Sequence, residues 1–443
     1  MTLIVVSGGP QARADAPPAA MPNAVRSKLG ATLPSAGGVL HVGRSNAALR
    51  DLYLARHPNA RWHDTGPADL PGLGERFDLL VVGDGLHTFA DLAALLVALH
   101  ALCAPGGRLF AWAKNALQPE LFERLAEAEA SGEVGGDAPH PLSAASAFKQ
   151  LMDGGWLPAL AGECAVERPN PTALAAATQL AEAFGVPRAT ALARLRRDFM
   201  IIDAKPAFHT AGKAHGAAAG GSFTVVVATH RDTQLRLNVE RSPGLREVGA
   251  RIVSCRQARH PAEALEQSLP HCDRDWVLFC HQDVYFPSGF GAQLDALLAR
   301  VPAEQRARTL IGFAGLGIDR ATETCGPAGL VIDRTNRFDH AANDAAVSID
   351  ELAIVIARDS LHRIDPAIGW HLWATELCLA AIHRHRQFGR IVRLPLFHNS
   401  NSDYALPPAF HDSAAYLAKK YAGHGVIQTL CGNIAAPALP AAG

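Results

Sequence analysis

The chain has 443 residues, 49% of them apolar and 19% charged, which is typical of a globular protein and excludes a disordered or membrane-spanning chain. Its length allows about two or three domains. Lys and Arg number 41, Asp and Glu number 42, and the formal net charge is -1, so no overall basic field is available to bind nucleic acid.

Short apolar runs alternate with helical segments in the first half of the chain. Residues 1–36 are rich in Pro, Ala and Gly and are expected to be only partly ordered. The elements predicted after them, in chain order, are strand 37–42, helix 46–56, strand 77–84, helix 89–102 and strand 107–113. The nearly continuous apolar character of the strands suits a parallel sheet that is buried on both faces. The pattern predicts a doubly wound α/β domain over residues 37–205.

One segment of this domain carries a family resemblance. A strand ending in Asp84 is followed by a helix of Leu and Ala and by a Pro-Gly-Gly turn at 105–107 that leads into the next strand. In this order the segment resembles the fourth and fifth strands of class I S-adenosylmethionine-dependent methyltransferases. The resemblance implies a Rossmann-like methyltransferase fold from Gly37 to about Pro206, with GWLPALAGEC and FMIIDAKP as its last two strands.

The loop after the first strand bears on cofactor binding, because glycines there let the backbone approach a ligand closely. The loop reads HVGRSNAAL, with His41 in place of the family's acid and Gly43 as the remaining glycine. The resemblance assigns Gly43, Asp64 and Asp84 to S-adenosylmethionine binding, whereas turn formation and helix capping explain the two acids equally. An altered cofactor-binding domain, a structural domain and an active methyltransferase all stay open.

Residues 206–222 replace the periodic apolar pattern with Gly, Ala and small polar residues, which predicts an interdomain linker. Strands and helices then alternate again, which predicts a second α/β domain over residues 223–435.

The second domain contains the segment DWVLFCHQDVYF, in which a buried strand ends in His281, Gln282 and Asp283. The carboxyl ends of such strands are where α/β sheets bind ligands. Side chains of an extended chain repeat with a period of two, so His281 and Asp283 project to the same side and can share a divalent cation. The alternative is a polar strand end that turns into solvent.

Three later segments follow in order, SIDELAIVIARDSL, IDPAIGWHLWATELCLAAIHRH and IVRLPLFHNSNSDY. Together with H-Q-D, they resemble GT-A fold glycosyltransferases of the family-two type, especially the bacterial group in which H-Q-D is a version of the D-x-D motif. The resemblance runs from about Phe223 to Gly432. It implies a GT-A fold, a nucleotide-sugar donor and a divalent metal, Mn or Mg.

The resemblance also assigns roles to individual residues. Donor binding falls to Thr229, His230, Arg231 and Asp283, and the metal to His281, Asp283 and His398. The acceptor side is predicted at Trp370, His371 and Trp373, which lie beside Glu376, because an aromatic and polar wall suits stacking on a sugar face. The preferred catalytic base is Glu376, with Asp350 and Glu351 as competing carboxylates.

Each of these residues also has a structural alternative. Glu376 could favour a helix N-terminus through the helix dipole, and Asp350 could cap a helix. His398 could be a core histidine, and the tryptophans could belong to the core. The ordered set of segments therefore carries more weight than any single residue.

The sequence therefore predicts a metal-dependent, inverting glycosyltransferase that moves a sugar from a nucleotide-sugar donor to a glycan, lipid-linked or protein acceptor. Two alternatives are a methyltransferase, alone or combined with glycosyl transfer, and a non-catalytic scaffold in glycan assembly.

The surroundings in which the protein works follow from its cysteines and its helices. The eight cysteines form no C-x-x-C pair, which indicates a reduced compartment. The longest apolar helix candidate, residues 91–104, is shorter than the ~20 residues that span a bilayer. We expect a soluble, cytoplasmic protein without a transmembrane segment.

Overall fold

The computed structural model describes residues 21–115, 142–165, 170–183, 186–207, 221–400 and 405–436. Within these ranges the chain forms two mixed α/β units, one on each side of the segment 208–220. Most of the predicted linker and the first 20 residues therefore lie outside the described ranges. No helix in those ranges is both long enough and apolar enough to cross a bilayer.

The N-terminal unit consists of one sheet and the helices that cover it. The helices are α1 (Asn23–Thr32), α2 (Ala47–Arg56), α3 (Leu92–Leu102), α4 (Ala144–Asp153), α5 (Pro171–Ala183) and α6 (Arg188–Leu195). The strands are β1 (Gly38–Val42), β2 (Arg61–Thr65), β3 (Phe77–Val82), β4 (Cys103–Lys114), β5 (Trp156–Ala165) and β6 (Arg197–Pro206).

The strand order of this sheet is β2-β1-β3-β4-β6-β5, in which the first four strands are parallel and β6 is antiparallel to both of its neighbours. The chain first adds β2 on one side of β1 and then returns to add β3 on the other side. Such a reversal opens a crevice at the carboxyl ends of the two central strands, where α/β folds bind ligands. The Rossmann-like arrangement predicted for this half is confirmed.

Capping residues set where two helices of this unit begin. The Asn46 side chain accepts a hydrogen bond from the Leu49 backbone N–H (3.1 Å), and Asp91 accepts one from Ala94 (2.8 Å). Each cap satisfies a backbone donor that the first helical turn leaves free. Helix α1 forms inside the stretch 1–36, which was expected to be only partly ordered. It packs on the N-terminal unit because its Val25 and Leu29 side chains are buried in the core.

The C-terminal unit has a larger sheet. Its helices are α7 (Asp232–Leu237), α8 (Pro243–Arg246), α9 (Pro261–Ser268), α10 (Phe290–Leu298), α11 (Ala303–Arg306), α12 (Trp373–His385) and α13 (Pro408–Lys420). Its strands are β7 (Phe223–Thr229), β8 (Arg251–Arg256), β9 (Trp276–His281), β10 (Val284–Tyr285), β11 (Leu310–Gly312), β12 (Ala314–Asp319), β13 (Thr324–Asp333), β14 (Asn336–Asp339), β15 (Asn343–Ile349), β16 (Ala353–Ala357), β17 (Gly389–Ile391), β18 (Leu396–His398), β19 (Val426–Thr429) and β20 (Gly432–Ala435).

The main sheet follows the order β8-β7-β9-β16-β11-β17-β15-β12-β13-β18-β10, and β14 pairs with β13. Strands β8, β7 and β9 are parallel, whereas β16 is antiparallel to both β9 and β11. Strands β19 and β20 form a separate hairpin. The central strands β7, β9 and β16 are buried almost throughout.

The two units pack against each other through apolar and charged contacts. Tyr285, Leu330 and Phe397 of the C-terminal unit belong to the hydrophobic core of the N-terminal sheet. Arg337 donates to the Leu157 carbonyl (2.7 Å) and to Asp203 (2.9 Å) across the same boundary. The two units therefore share a core.

Candidate functional site

Three strand ends meet at one edge of the C-terminal sheet. His398 ends β18, and it pairs with Asp333 at the end of β13 and with Val284 in β10. His281 ends β9, two residues before Asp283. The topology therefore brings the late histidine beside the H-Q-D segment, although more than 100 residues of chain separate them.

His281, Asp283 and His398, which we call the metal triad, each offer one ligand atom, and these atoms lie within 4.8 Å of one another. His398 Nε2 lies 3.5 Å from Asp283 Oδ1, and both side chains are 20% exposed. Two imidazoles and a carboxylate at such distances suit a divalent transition metal. The three residues that the sequence predicted as metal ligands are thus brought together.

The electrostatics of the triad also favour a cation. Burial alone would raise the pKa of Asp283, but the neighbouring His398 and His281 hold that pKa below its usual range. Burial alone would lower the pKa of His398, and Asp283 and Asp333 instead raise it to about 10. The site therefore stabilises positive charge beside Asp283, either as a proton on His398 or as a metal ion.

Asp333 was missed by the sequence analysis. Its Oδ1 accepts a hydrogen bond from His398 Nδ1 at 2.9 Å, which leaves Nε2 of the same ring facing Asp283. Carboxylates commonly orient metal-binding histidines in this way. Asp333 lies in a segment that the motifs do not cover, so its position follows only from the pairing of β13 with β18.

Gln282, the middle residue of H-Q-D, was also given no role. Its Oε1 accepts hydrogen bonds from the Thr229 hydroxyl (2.7 Å) and from the backbone N–H groups of His230 (3.1 Å) and Arg231 (3.0 Å). The predicted donor-binding segment is therefore fixed to the strand end that carries the triad. The side chains of His230 and Arg231 remain exposed.

Asp350 and Glu351 lie close to the triad, because the Leu352 carbonyl accepts a hydrogen bond from the His281 backbone N–H (2.9 Å). Burial and the neighbouring Glu351 raise the pKa of Asp350 to about 6. Glu351 Oε1 lies 3.8 Å from His371 Nδ1. Two carboxylates thus border the candidate metal centre, and one of them, Asp350, can accept a proton near neutral pH.

Glu376, the preferred base, lies in a different environment. It is 1% exposed, and its Oε1 accepts hydrogen bonds from Lys420 Nζ (2.6 Å) and the Tyr421 hydroxyl (2.9 Å). These contacts tie α12 to the end of α13. The Glu376 carboxylate is therefore buried and its Oε1 is already paired, which gives this side chain a structural role in the packing of the two helices.

The three residues of the predicted acceptor wall differ in how far they are buried. Trp370 is 39% exposed, and His371 is partly exposed beside Glu351. Trp373 is 1% exposed and packs on Phe279, with ring centroids 5.2 Å apart. Trp373 is therefore a core residue, because the first turn of α12 directs its ring into the sheet.

The N-terminal crevice is formed by the turn after β1. Gly43 has φ +120°, and a Cβ atom there would lie 2.8 Å from Asp84 Oδ2, so glycine is required. Asp84 accepts hydrogen bonds from the backbone N–H and from Nε of Arg44, both at 3.1 Å. The loop that the family leaves open is therefore partly filled by an ion pair.

The other predicted cofactor residue is also engaged. Asp64 Oδ1 lies 2.9 Å from Nδ1 of His41, which is fully buried, and it accepts a hydrogen bond from Trp62 Nε1 (3.1 Å). Burial lowers the pKa of His41 despite this neighbouring carboxylate. As they stand, the residues of this crevice do not fit an S-adenosylmethionine site of the usual kind. Arg44 is 43% exposed, so its side chain can leave at little cost.

No protein-family model matches the chain, and no curated protein matches it. Similar solved structures include the following three methyltransferases. An S-adenosylmethionine-dependent methyltransferase from Mesorhizobium loti is 18% identical, over 41% of this chain and 96% of its own, with a TM-score of 0.23.

The other two are human N-acetylserotonin methyltransferase in complex with S-adenosylmethionine and magnesium protoporphyrin IX methyltransferase from Synechocystis PCC 6803 with bound S-adenosylhomocysteine. The human enzyme is 11% identical over 41% of this chain and 51% of its own, with a TM-score of 0.26. The Synechocystis enzyme is 16% identical over 41% and 80%, with a TM-score of 0.26.

These similarities fall on the N-terminal part of the chain. At this level they concern the general fold and carry no information about activity. The Rossmann-like arrangement of the N-terminal unit follows from its own strand order, and the GT-A fold predicted for the C-terminal unit gains no support from these comparisons.

Proposed function

We propose that the C-terminal unit is a metal-dependent glycosyltransferase. The observation that carries the proposal is the metal triad at the carboxyl ends of β9 and β18, with its ligand atoms within 4.8 Å of one another. The carboxylates of Asp350 and Glu351 beside it support transfer chemistry rather than a purely structural metal. The comparisons bear only on the other unit, so this proposal depends on the site itself.

The triad residues fit a divalent ion, and His281, Asp283 and His398 would hold it. Such an ion supplies charge neutralisation for a diphosphate leaving group. Two of the three ligands are imidazoles, which suit Mn²⁺ better than Mg²⁺.

The chain's own residues would perform the remaining steps. Thr229, His230 and Arg231, fixed by Gln282, would bind the nucleotide. Asp350, whose pKa is raised to about 6, would take the proton from the acceptor hydroxyl. The new glycosidic bond would form as the bond between the sugar and the diphosphate breaks, so that the diphosphate leaves with the bonding electron pair.

The test is a screen of nucleotide sugars with the full chain, in which release of nucleoside diphosphate is measured with Mn²⁺, Mg²⁺ or chelator. We expect turnover with Mn²⁺ and none in chelator. Asp283→Ala should abolish the turnover, whereas Asp275→Ala, which removes an exposed carboxylate outside the triad, should not. Full turnover in chelator or by Asp283→Ala would exclude the assignment.

A second candidate function is methyl-donor binding by the N-terminal unit. It is favoured by the carboxyl ends of β1, β2 and β3, where Gly43, Asp64 and Asp84 lie, and it requires Arg44 to release Asp84. Calorimetry of the full chain with S-adenosylmethionine tests it, and Arg44→Ala should tighten binding because it frees Asp84. If neither protein binds the cofactor, the crevice is structural. Methyl transfer to a cellular fraction would instead make the chain bifunctional.

A further inference from the structure

A basic cavity of about 310 Å³ lies in the C-terminal unit, and its wall includes Arg300, Arg320, Arg386, Arg390 and the acid Asp344. The chain as a whole has a net charge of -1. Four guanidinium groups around one cavity are therefore a local concentration of positive charge and do not follow from the general composition. We call this feature the arginine cavity.

The arginine cavity is separate from the metal triad. Leu310, which begins β11, lines the cavity and pairs with Ile356 of β16, which in turn pairs with Val277 of β9. Strands β9 and β11 run in the same direction because both are antiparallel to β16. His281 lies four residues beyond Val277, or roughly 13 Å along the strand. The cavity thus opens at the amino ends of the strands and the triad lies at the carboxyl ends.

The arginines of the cavity differ in their partners. Arg390 Nε donates to Asp344 Oδ1 at 2.7 Å. Within the described ranges, Arg300, Arg320 and Arg386 form neither an ion pair nor a side-chain hydrogen bond. Three exposed arginines that line a common space without ion-pair partners of their own in the described ranges leave donors available for an anion.

The backbone conformation of Arg386 also supports an anion site. This residue ends α12 with φ +53°, and its N–H donates to the carbonyls of Ala381 and Ile382. Glycine and asparagine are the usual residues at such a left-handed helix end. An arginine at this position accepts backbone strain and places its side chain on the wall of the cavity.

We propose that the arginine cavity binds a small molecule that carries phosphate. Guanidinium groups match phosphate oxygens with paired N–H donors, and they remain charged at all physiological pH values. The volume lies within the range of small-molecule sites. Gln305 and Gln387, which also line the cavity, add amide donors for the rest of the ligand.

The proposal is tested by calorimetry of the full chain with inorganic pyrophosphate, at low salt and with chelator, so that no metal ion contributes. Arg386→Gly removes the guanidinium and suits the left-handed backbone, so the melting temperature should stay the same or rise. We expect at least tenfold weaker binding for Arg386→Gly and for Arg320→Ala. The matched control is Arg61→Ala, an exposed arginine of the N-terminal unit, which should bind as the wild type does.

Two further measurements locate and identify the ligand. Asp283→Ala should retain wild-type affinity for pyrophosphate, and a loss there would assign the binding to the metal triad and overturn the proposal. Inorganic phosphate and ribose 5-phosphate are titrated in parallel. If either probe binds the wild type and binds Arg386→Gly more weakly, the result supports the site. Comparing the two probes distinguishes a free anion from a phosphate ester. The proposal fails if none of the three probes binds, or if Arg61→Ala weakens binding as much as Arg386→Gly.

Discussion

At the scale of single residues, the candidate metal centre depends on one hydrogen bond outside the ligand set. Asp333 accepts from Nδ1 of His398 and so fixes which nitrogen of the ring faces Asp283. The same carboxylate helps to raise the pKa of His398. Asp333 is therefore a positioning residue, and its effect should appear in metal binding before it appears in stability.

Replacing Asp333 by Asn keeps the shape of the side chain but removes its charge. We expect Mn²⁺ affinity to fall ~10–100-fold, the usual effect of losing such a partner. Calorimetric titration with Mn²⁺ measures this, with Asp275→Asn as the control for loss of an exposed carboxylate. Unchanged affinity in Asp333→Asn would show that His398 does not need this contact.

Metal binding should also depend on pH. Without metal, His398 holds a proton because its pKa is raised to about 10, and a metal ion must displace that proton. The apparent Mn²⁺ affinity should therefore rise about tenfold for each pH unit between pH 6 and pH 8. Titrations at three pH values check this slope, and affinity that falls as pH rises would contradict the assignment of His398 as a ligand.

The carboxylates that the sequence predicts as bases should separate into a catalytic and a structural group. Asp350→Asn should lower sugar transfer by ~10²–10⁴-fold with little effect on the melting temperature. Glu376→Gln should instead cost about 1–3 kcal/mol of unfolding free energy, because a buried hydrogen-bonded charge is lost. Transfer assays and denaturant unfolding of both variants test this. The opposite pattern would restore Glu376 as the base.

At the scale of elements, the turn between β1 and α2 depends on glycine for two reasons. Gly43 has a positive φ, and its Cα lies against Asp84 of the neighbouring turn. Gly106, in the turn before the main part of β4, also has a positive φ (+78°), but no atom lies within 4 Å of the Cβ it would carry. Comparing Gly43 with Gly106 therefore separates the cost of backbone strain from the cost of a steric clash with Asp84.

We expect Gly106→Ala to destabilise the protein by about 1–2 kcal/mol through strain alone. Gly43→Ala should cost more, since Asp84 must also move. Urea unfolding of the two variants measures the difference, and equal losses would mean that the contact with Asp84 is easily relaxed.

At the scale of the whole molecule, the two units should unfold together. Their cores are joined through residues such as Phe397, and the side chains of Arg337 and Asp203 are 10% and 7% exposed where they meet. A shared core of this kind couples the units more strongly than a flexible linker does. Functional experiments therefore belong to the full chain.

Arg337→Ala should destabilise the protein by about 3–5 kcal/mol, because it leaves the buried Asp203 with fewer partners. Arg108 also pairs with Asp203 (2.6 Å), so the lower end of this range is expected. Calorimetry should show one transition for the wild type and a lower or split transition for the variant. Two well-separated transitions in the wild type would contradict coupled unfolding.

The sequence by itself determined the alternation of strands and helices, and it predicted the three members of the metal triad. All of these features except His398 are local, since strand periodicity, helix caps and the H-Q-D spacing lie within short segments; His398 was predicted only from the resemblance that the later segments carry. It also predicted the Rossmann-like order of the first half, because a parallel sheet follows from helices between buried strands.

Only the tertiary structure decided which polar residues face one another. Asp333 reaches His398 because β13 pairs with β18, and Glu376 is paired with Lys420 because α13 packs beside α12. The arginine cavity gathers residues from five separate segments of the chain. Such contacts join residues far apart in the chain, and the burial that decides between a core and a functional role arises only when the elements pack.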